Sequence, residues 1–161
     1  MAIFFSASEL VNIAIGIERS GIAFYQSLAK AETHEMARDA YKHLAEMEEK
    51  HIGTFQSMLD AVGGYKTPEM YTEEYDLYLK ALVDSAVFTD DKVAREMAEK
   101  VTGSAEAIQI GLGAEKDSIL FYSEMRNLVP QRDREVVERI IEEEKTHLRQ
   151  LSDLKKKLAA R

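Results

Sequence analysis

The sequence predicts an all-α chain, a four-helix bundle built from two related helical hairpins, and three observations carry that prediction. Eight Gly and two Pro in 161 residues are about half of the roughly 12% share that average usage gives these turn-forming residues. The commonest residue types, 20 Glu and 19 Ala, are strong helix formers. Apolar residues recur at three- and four-residue spacing along four separate stretches, which is the pattern of one buried helical face. The length falls within the ~100–200 residues usual for one domain, so residues 1–161 read as a single domain with room for a core.

Ser6-x-x-Glu9 marks the first helix start, because the Ser hydroxyl can accept a first-turn N–H while the Glu reaches back to the capping residue's own N–H. This helix runs to about Ala31, with Val11, Ala14, Ile15, Gly21, Ile22, Tyr25, Leu28 and Ala29 on one face. The second spans about Glu35 to Val62, carries Tyr41, Leu44, Met47, Ile52, Phe55, Met58, Leu59 and Val62, and stops at Gly63-Gly64. From Gly63 to about Gly103 the pattern weakens. Lys66-Thr67-Pro68-Glu69 reads as a turn, Tyr71 to Phe88 is aromatic-rich, and Asp90 to Val101 reads as a short helix. The segment is a long crossover containing short helices. The third main helix starts near Ser104, presents Ile108, Gly111, Leu112, Ser118, Ile119, Tyr122 and Met125, and stops between Asn127 and Pro130. The fourth, about Gln131 to Leu158, presents Val137, Ile140, Ile141, Leu148, Leu151, Leu154 and Leu158. Its Lys155-Lys156-Lys157 end suits the negative pole of the helix dipole.

Composition excludes several function classes. With no Cys there is no disulfide framework, no thiolate metal site and no thiol catalysis, and the usage suits a reducing compartment. A formal charge of −8 lacks the basic patch that a phosphate backbone demands, so no nucleic-acid partner is expected. The start MAIFFSASEL has no basic region before its apolar residues, and no apolar run approaches the ~18 residues of a membrane span. The expectation is a cytoplasmic protein with no membrane partner.

The two halves repeat. IGIERSGIAFY from Ile15 aligns with LGAEKDSILFY from Leu112, pairing Gly16/Gly113, Glu18/Glu115, Ile22/Ile119, Phe24/Phe121 and Tyr25/Tyr122 at an offset of 97. Glu48-Glu49-Lys50-His51 stands 96 residues before Glu144-Lys145-Thr146-His147. Two hairpins joined by a crossover give the bundle a pseudo-two-fold.

Each apolar face is interrupted by a carboxylate: Glu18, Glu48, Glu115 and Glu144. Glu18 and Glu48 each lie about 13 residues from the first turn, and Glu115 and Glu144 about 13 from the second. At ~1.5 Å rise per residue all four reach one level. His51 and His147 follow Glu48 and Glu144 by three residues, about one helical turn, so each pair can reach one interior point. One Glu from each of two helices plus Glu-x-x-His from the other two is the ligand set of di-iron and di-manganese bundles. Four ionised carboxylates in an apolar interior would each cost several kcal/mol to desolvate and would repel one another. Two divalent cations would neutralise them, and oxygen ligands with one imidazole per metal suit Fe(II) or Mn(II), or a mixed pair. Tyr25 and Tyr122 each follow a stripe Glu by seven residues, which fits either a phenol bonding a carboxylate or plain core packing. His34 and His43 read as surface or structural imidazoles, Tyr71, Tyr75 and Tyr78 as a crossover packed on the bundle or a dimer contact, and Glu142 and Glu143 as solvated.

With Glu18, Glu48-x-x-His51, Glu115 and Glu144-x-x-His147 in place, the sequence resembles the rubrerythrin branch of the ferritin-like superfamily over nearly its whole length. The resemblance implies that Glu48 and Glu144 bridge two metals, that Glu18 and Glu115 are terminal carboxylates, and that His51 and His147 are terminal imidazoles. It further implies a di-iron centre that reacts with hydrogen peroxide or dioxygen, cycling between diferrous and diferric states in protection against oxidative damage. A homodimer is expected. Two departures stand out. Rubrerythrins proper carry a Cys-bearing rubredoxin module, which this Cys-free chain lacks, so electrons would come from an external donor such as a rubredoxin-type protein. They also carry a further glutamate on the third helix, whereas one turn either side of Glu115 stand Leu112 and Ser118, and Asp117 points off the face. That departure bears on peroxidase turnover rather than on metal binding. The competing expectation is a ferroxidase-type or non-catalytic iron-handling protein.

Overall fold

The computed structural model describes residues 5–63, 65–66 and 72–160, and among these residues all regular structure is helical. The order is α1 (Ala7–Ala31), α2 (Glu35–Val62), α3 (Glu73–Asp84), α4 (Asp91–Lys100), α5 (Ser104–Met125) and α6 (Gln131–Ala159). The Ser6 side chain accepts from Glu9 N–H while the Glu9 carboxylate accepts from Ser6 N–H, closing the expected capping box. Gly63 ends α2 at φ +48°, a left-handed angle that a residue without Cβ adopts at little cost. Gly64, the Thr67-Pro68-Glu69 part of the expected turn and Tyr71 lie outside the described residues.

α1 packs along α2 and α5 along α6, while α1 meets α5 and α2 meets α6. The two hairpins thus pack into one four-helix bundle. α5 ends at Met125 rather than near Asn127, where the chain turns through Leu128 and Val129, both buried, into α6. Within the aromatic-rich crossover, Thr72 caps α3 by accepting from Tyr75 N–H. Only Asp76 and Leu79 of α3 are buried, and a helix with so narrow a buried face leaves little periodic trace in sequence.

The crossover is tied to the bundle. α4 lies along α1 and α3 against α5. Ser20 Oγ donates to Asp91 Oδ1 at 3.2 Å, the Tyr75 hydroxyl donates to Glu124, and Val87 N–H donates to Asp117 Oδ2 at 2.8 Å. Asp117, off the bundle face as expected, therefore anchors the α3–α4 connection.

The core falls into two apolar clusters. One gathers Leu10, Val11, Ala14 and Ile15 of α1, Phe55 and Met58 of α2, Leu79 of α3, Phe121, Tyr122 and Met125 of α5, Leu128 and Val129 of the turn, and Val137, Ile140 and Ile141 of α6. The other gathers Phe24, Tyr25, Leu28 and Ala29 of α1, Ala37, Tyr41, Leu44 and Ala45 of α2, Ala94 and Ala98 of α4, Ala107 and Ile108 of α5, and Leu151 and Leu154 of α6. On every main helix the residues between the clusters include the interrupting carboxylate, so a polar layer crosses the bundle midway along its length.

Candidate metal centre

Glu18 of α1, Glu48 and His51 of α2, Glu115 of α5, and Glu144 and His147 of α6 meet in that layer, each at most 4% exposed. Both histidines turn Nδ1 inward. His51 Nδ1 lies 3.0 Å from Glu144 Oε1, 3.3 Å from Glu48 Oε2 and 3.5 Å from Glu18 Oε2. His147 Nδ1 lies 3.1 Å from Glu144 Oε2, 3.8 Å from Glu115 Oε2 and 3.9 Å from Glu48 Oε1. Two lobes result, Glu18/Glu48/His51/Glu144 and Glu48/Glu115/Glu144/His147, with candidate ligand atoms of each within 4.8 Å of one another. Glu48 and Glu144 belong to both lobes, and each aims one oxygen at each histidine. The two imidazoles stack at a ring-centroid distance of 5.8 Å.

The tyrosines bind carboxylates, and they do so across the pseudo-two-fold. The Tyr25 hydroxyl donates to Glu115 Oε1 at 2.6 Å, and the Tyr122 hydroxyl donates to Glu18. Seven residues along a helix separate Tyr25 from Glu18 by about 10 Å of rise, so each phenol serves the opposite half. Burial and the neighbouring carboxylates push both phenols well above their ordinary range, which keeps them as proton donors.

Burial and mutual charge set the protonation of the layer. Burial and the charges of Glu18, Glu144 and Glu115 push Glu48 well above the usual carboxylate range. Burial also works against Glu18, yet its hydrogen bonds with Glu48, His51 and Tyr122 and the charge of His51 hold it below that range. Glu115, raised by burial and by Glu144, reaches about 8. Burial disfavours the charged histidines, but their carboxylate partners outweigh it, raising His51 strongly and His147 to about 9. Even so, Glu115 Oε2 and Glu144 Oε1 are buried and accept no well-aligned hydrogen bond. Those orphaned oxygens face the two inward nitrogens, one in each lobe. Four carboxylates and two imidazoles, formally −4, fit a pair of hard or borderline divalent cations.

Glu143 is solvated as expected and also contacts the layer. Its side chain is 48% exposed, yet Oε2 lies 2.6 Å from His51 Nε2, so the Nε2–H donates outward to it while Nδ1 faces the lobe. One residue along a helix is about 100° around it, and no periodicity argument would have drawn Glu143 inward; the contact is made by α2 crossing beside α6. The matching position before Glu48 is Met47, which offers no carboxylate. Glu142 is solvated as expected, paired with Lys145 at 2.8 Å. His43 is exposed, and His34, half-buried at the α2 N-cap, makes no side-chain cap. Leu112 packs at the edge of the second apolar cluster, and Ser118 Oγ donates to Ala114 O at 3.2 Å, so neither supplies a carboxylate.

A bundle of two pseudo-symmetric hairpins around a buried Glu4His2 layer defines the class of ferritin-like carboxylate proteins. The rubrerythrin family model matches residues 9–155, and the chain belongs to the rubrerythrin family. Among solved structures it is similar to a Thermotoga maritima protein described as a ferritin-like diiron-carboxylate protein, at 26% identity and a TM-score of 0.67, over 95% of this chain and 96% of that one. No curated protein matches. Among the described residues no helix is long and apolar enough to cross a membrane.

Proposed function

We propose that the layer holds two iron ions and that the protein is a non-haem di-iron oxidoreductase acting on hydrogen peroxide or dioxygen, with electrons from an external donor such as a rubredoxin-type protein. The observation that supports this reading best is the division of Glu48 and Glu144, each with one oxygen toward His51 and the other toward His147. Two carboxylates so placed would bridge a metal pair, with Glu18 and His51 completing one side and Glu115 and His147 the other. When bound, such a pair supplies the two electrons that reduce peroxide or dioxygen.

The chain's own residues fix the surroundings. Tyr25 and Tyr122 hold Glu115 and Glu18 in orientation through phenols that stay protonated. Glu143 orients His51 by accepting from Nε2, which leaves Nδ1 free of its proton when a ligand takes that place. The apolar clusters pack against the layer from both ends of the bundle. We assign the whole chain to one domain acting as a cytoplasmic homodimer, with Leu77 and Tyr78 of α3 and Leu120 of α5 as exposed apolar side chains available for the contact.

Stopped-flow mixing of anaerobically reduced, iron-loaded protein with peroxide tests the reading. Oxidation much faster than that of free Fe(II), with turnover when a rubredoxin-type donor is added, is expected. Oxidation no faster than free Fe(II) would remove the proposal, and fast oxidation with retention of iron in a closed many-subunit shell would point to iron handling instead.

A further inference from the structure

A cavity of about 570 Å³ opens directly onto the carboxylates of the layer, with Glu18, Glu48 and Glu115 forming its inner end. Peroxide or dioxygen needs the room of one or two waters, roughly 30 Å³ each. The cavity is about ten times larger and lies in the ~300–1,000 Å³ range of sites that enclose organic ligands. Its side walls are mostly apolar, from Ile17 on α1, Leu82 and Val83 on α3, Phe88 on the α3–α4 connection and Phe121 on α5. Polar groups of both signs, Arg19, Asp90 and Lys92, sit at its solvent side.

The space is maintained by small residues at helical positions that could carry larger ones. A Cβ on Gly16 would meet nothing within 4 Å, and the nearest atom to one on Gly21 would be Glu48 Cγ, at an ordinary contact distance of 3.6 Å. The repeat sharpens the point, because Gly113, the counterpart of Gly16, faces Val87 at 3.1 Å from its would-be Cβ. The crossover therefore fills the space beside one glycine of the pair and leaves open the space beside the other. Gly within a helix is less favourable than Ala by about 1 kcal/mol, so an unfilled Gly16 costs stability that packing does not return.

We infer that this cavity is the binding site of a neutral, largely apolar organic molecule, held in contact with Glu18, Glu48 and Glu115 beside the place where peroxide or dioxygen would react. The inference rests on the proposed dimetal reading of the layer. Apolar walls select an apolar body, the mixed-charge mouth accommodates a polar end without favouring either ionic sign, and a loaded centre of zero formal charge places no net charge at the inner end.

The test uses the full chain loaded anaerobically with Co(II), with N-phenyl-1-naphthylamine as the apolar probe. Probe emission should rise and saturate at one equivalent per chain, and the cobalt ligand-field spectrum should change as the probe binds. Gly16→Phe and, independently, Ala86→Phe on the connection should weaken probe binding at least tenfold. Gly53→Phe, on the exposed side of α2 with nothing within 4 Å of its Cβ position, should leave it unchanged. Cobalt uptake and far-ultraviolet circular dichroism measured on each variant confirm that the comparison is made between folded, loaded proteins. Failure of the parent chain to take up two cobalt ions would defeat the dimetal reading. Uptake of two ions with no saturable probe binding, with binding that leaves the cobalt spectrum unchanged, or with binding that neither cavity-filling variant weakens would overturn the inference alone.

Discussion

Replacing Glu143 by Leu should weaken one metal ion and spare the other. Glu143 accepts from His51 Nε2 at 2.6 Å, which fixes the ring, keeps the outer proton on Nε2 and makes Nδ1 a better donor to its lobe. Loss of such an outer partner typically lowers metal affinity ~10–100-fold. The Glu143 side chain is 48% exposed, so solvent screening sets the expectation at the lower end, about tenfold, or about 1.4 kcal/mol. Glu143→Gln, which keeps a neutral acceptor, should lose less. On the other side of the pseudo-two-fold the matching residue is Met47, so the His147 lobe has no corresponding carboxylate to lose. Anaerobic Co(II) titration against a competing chelator, followed by visible absorption, resolves the two dissociation constants. A tenfold rise in one with the other within a few-fold is expected. Equal weakening of both ions, or of neither, would refute the reasoning.

Other predictions follow from the same geometry. Glu144→Gln should abolish binding of both ions because Glu144 belongs to both lobes, whereas Glu18→Gln should remove only the one beside His51; metal analysis after gel filtration distinguishes them. Loading at pH 7 should release at least two protons per chain, since Glu115 near 8 and His147 near 9 are mostly protonated there. Calorimetry in buffers of different ionisation enthalpy counts them, and affinity should climb from pH 6 to 9. The metal-free fold should lose stability over the same rise. Both groups have folded-state pKa values above their unfolded ones, so their contributions are complete at acid pH and fade between about 4.5 and 8 for Glu115 and about 6.5 and 9 for His147. Thermal melts should show the metal-free Tm falling with pH by at least about 4 °C while the loaded protein holds steady. Tyr122→Phe removes the phenol that donates to buried Glu18 and should cost the metal-free protein about 1–3 kcal/mol in urea unfolding.

Much of this was legible in the residues because the bundle is periodic. A helix with a wide buried face writes its span into the sequence, and the four main helices begin and end close to where the apolar stripes, the Ser6 cap and Gly63 place them. The carboxylates were visible as polar breaks in those stripes, and hairpin register put them at one level. What escaped depends on the crossing of separate helices. Tyr25 and Glu18 share a face, yet the phenol reaches Glu115 on α5. Glu143 lies off its own helix's stripe and becomes relevant only because His51 of α2 stands beside it. The cavity beside Gly16 is bordered by the α3–α4 connection, which Asp117 holds over Gly113, a contact with no local pattern.

Anomalous X-ray diffraction from iron-loaded crystals tests the central claim most directly. Two peaks per chain are predicted, about 3.5–4 Å apart, one against Nδ1 of His51 and the other against Nδ1 of His147, with Glu48 and Glu144 touching both. A single peak, or iron bound only outside the Glu4His2 layer, would contradict it.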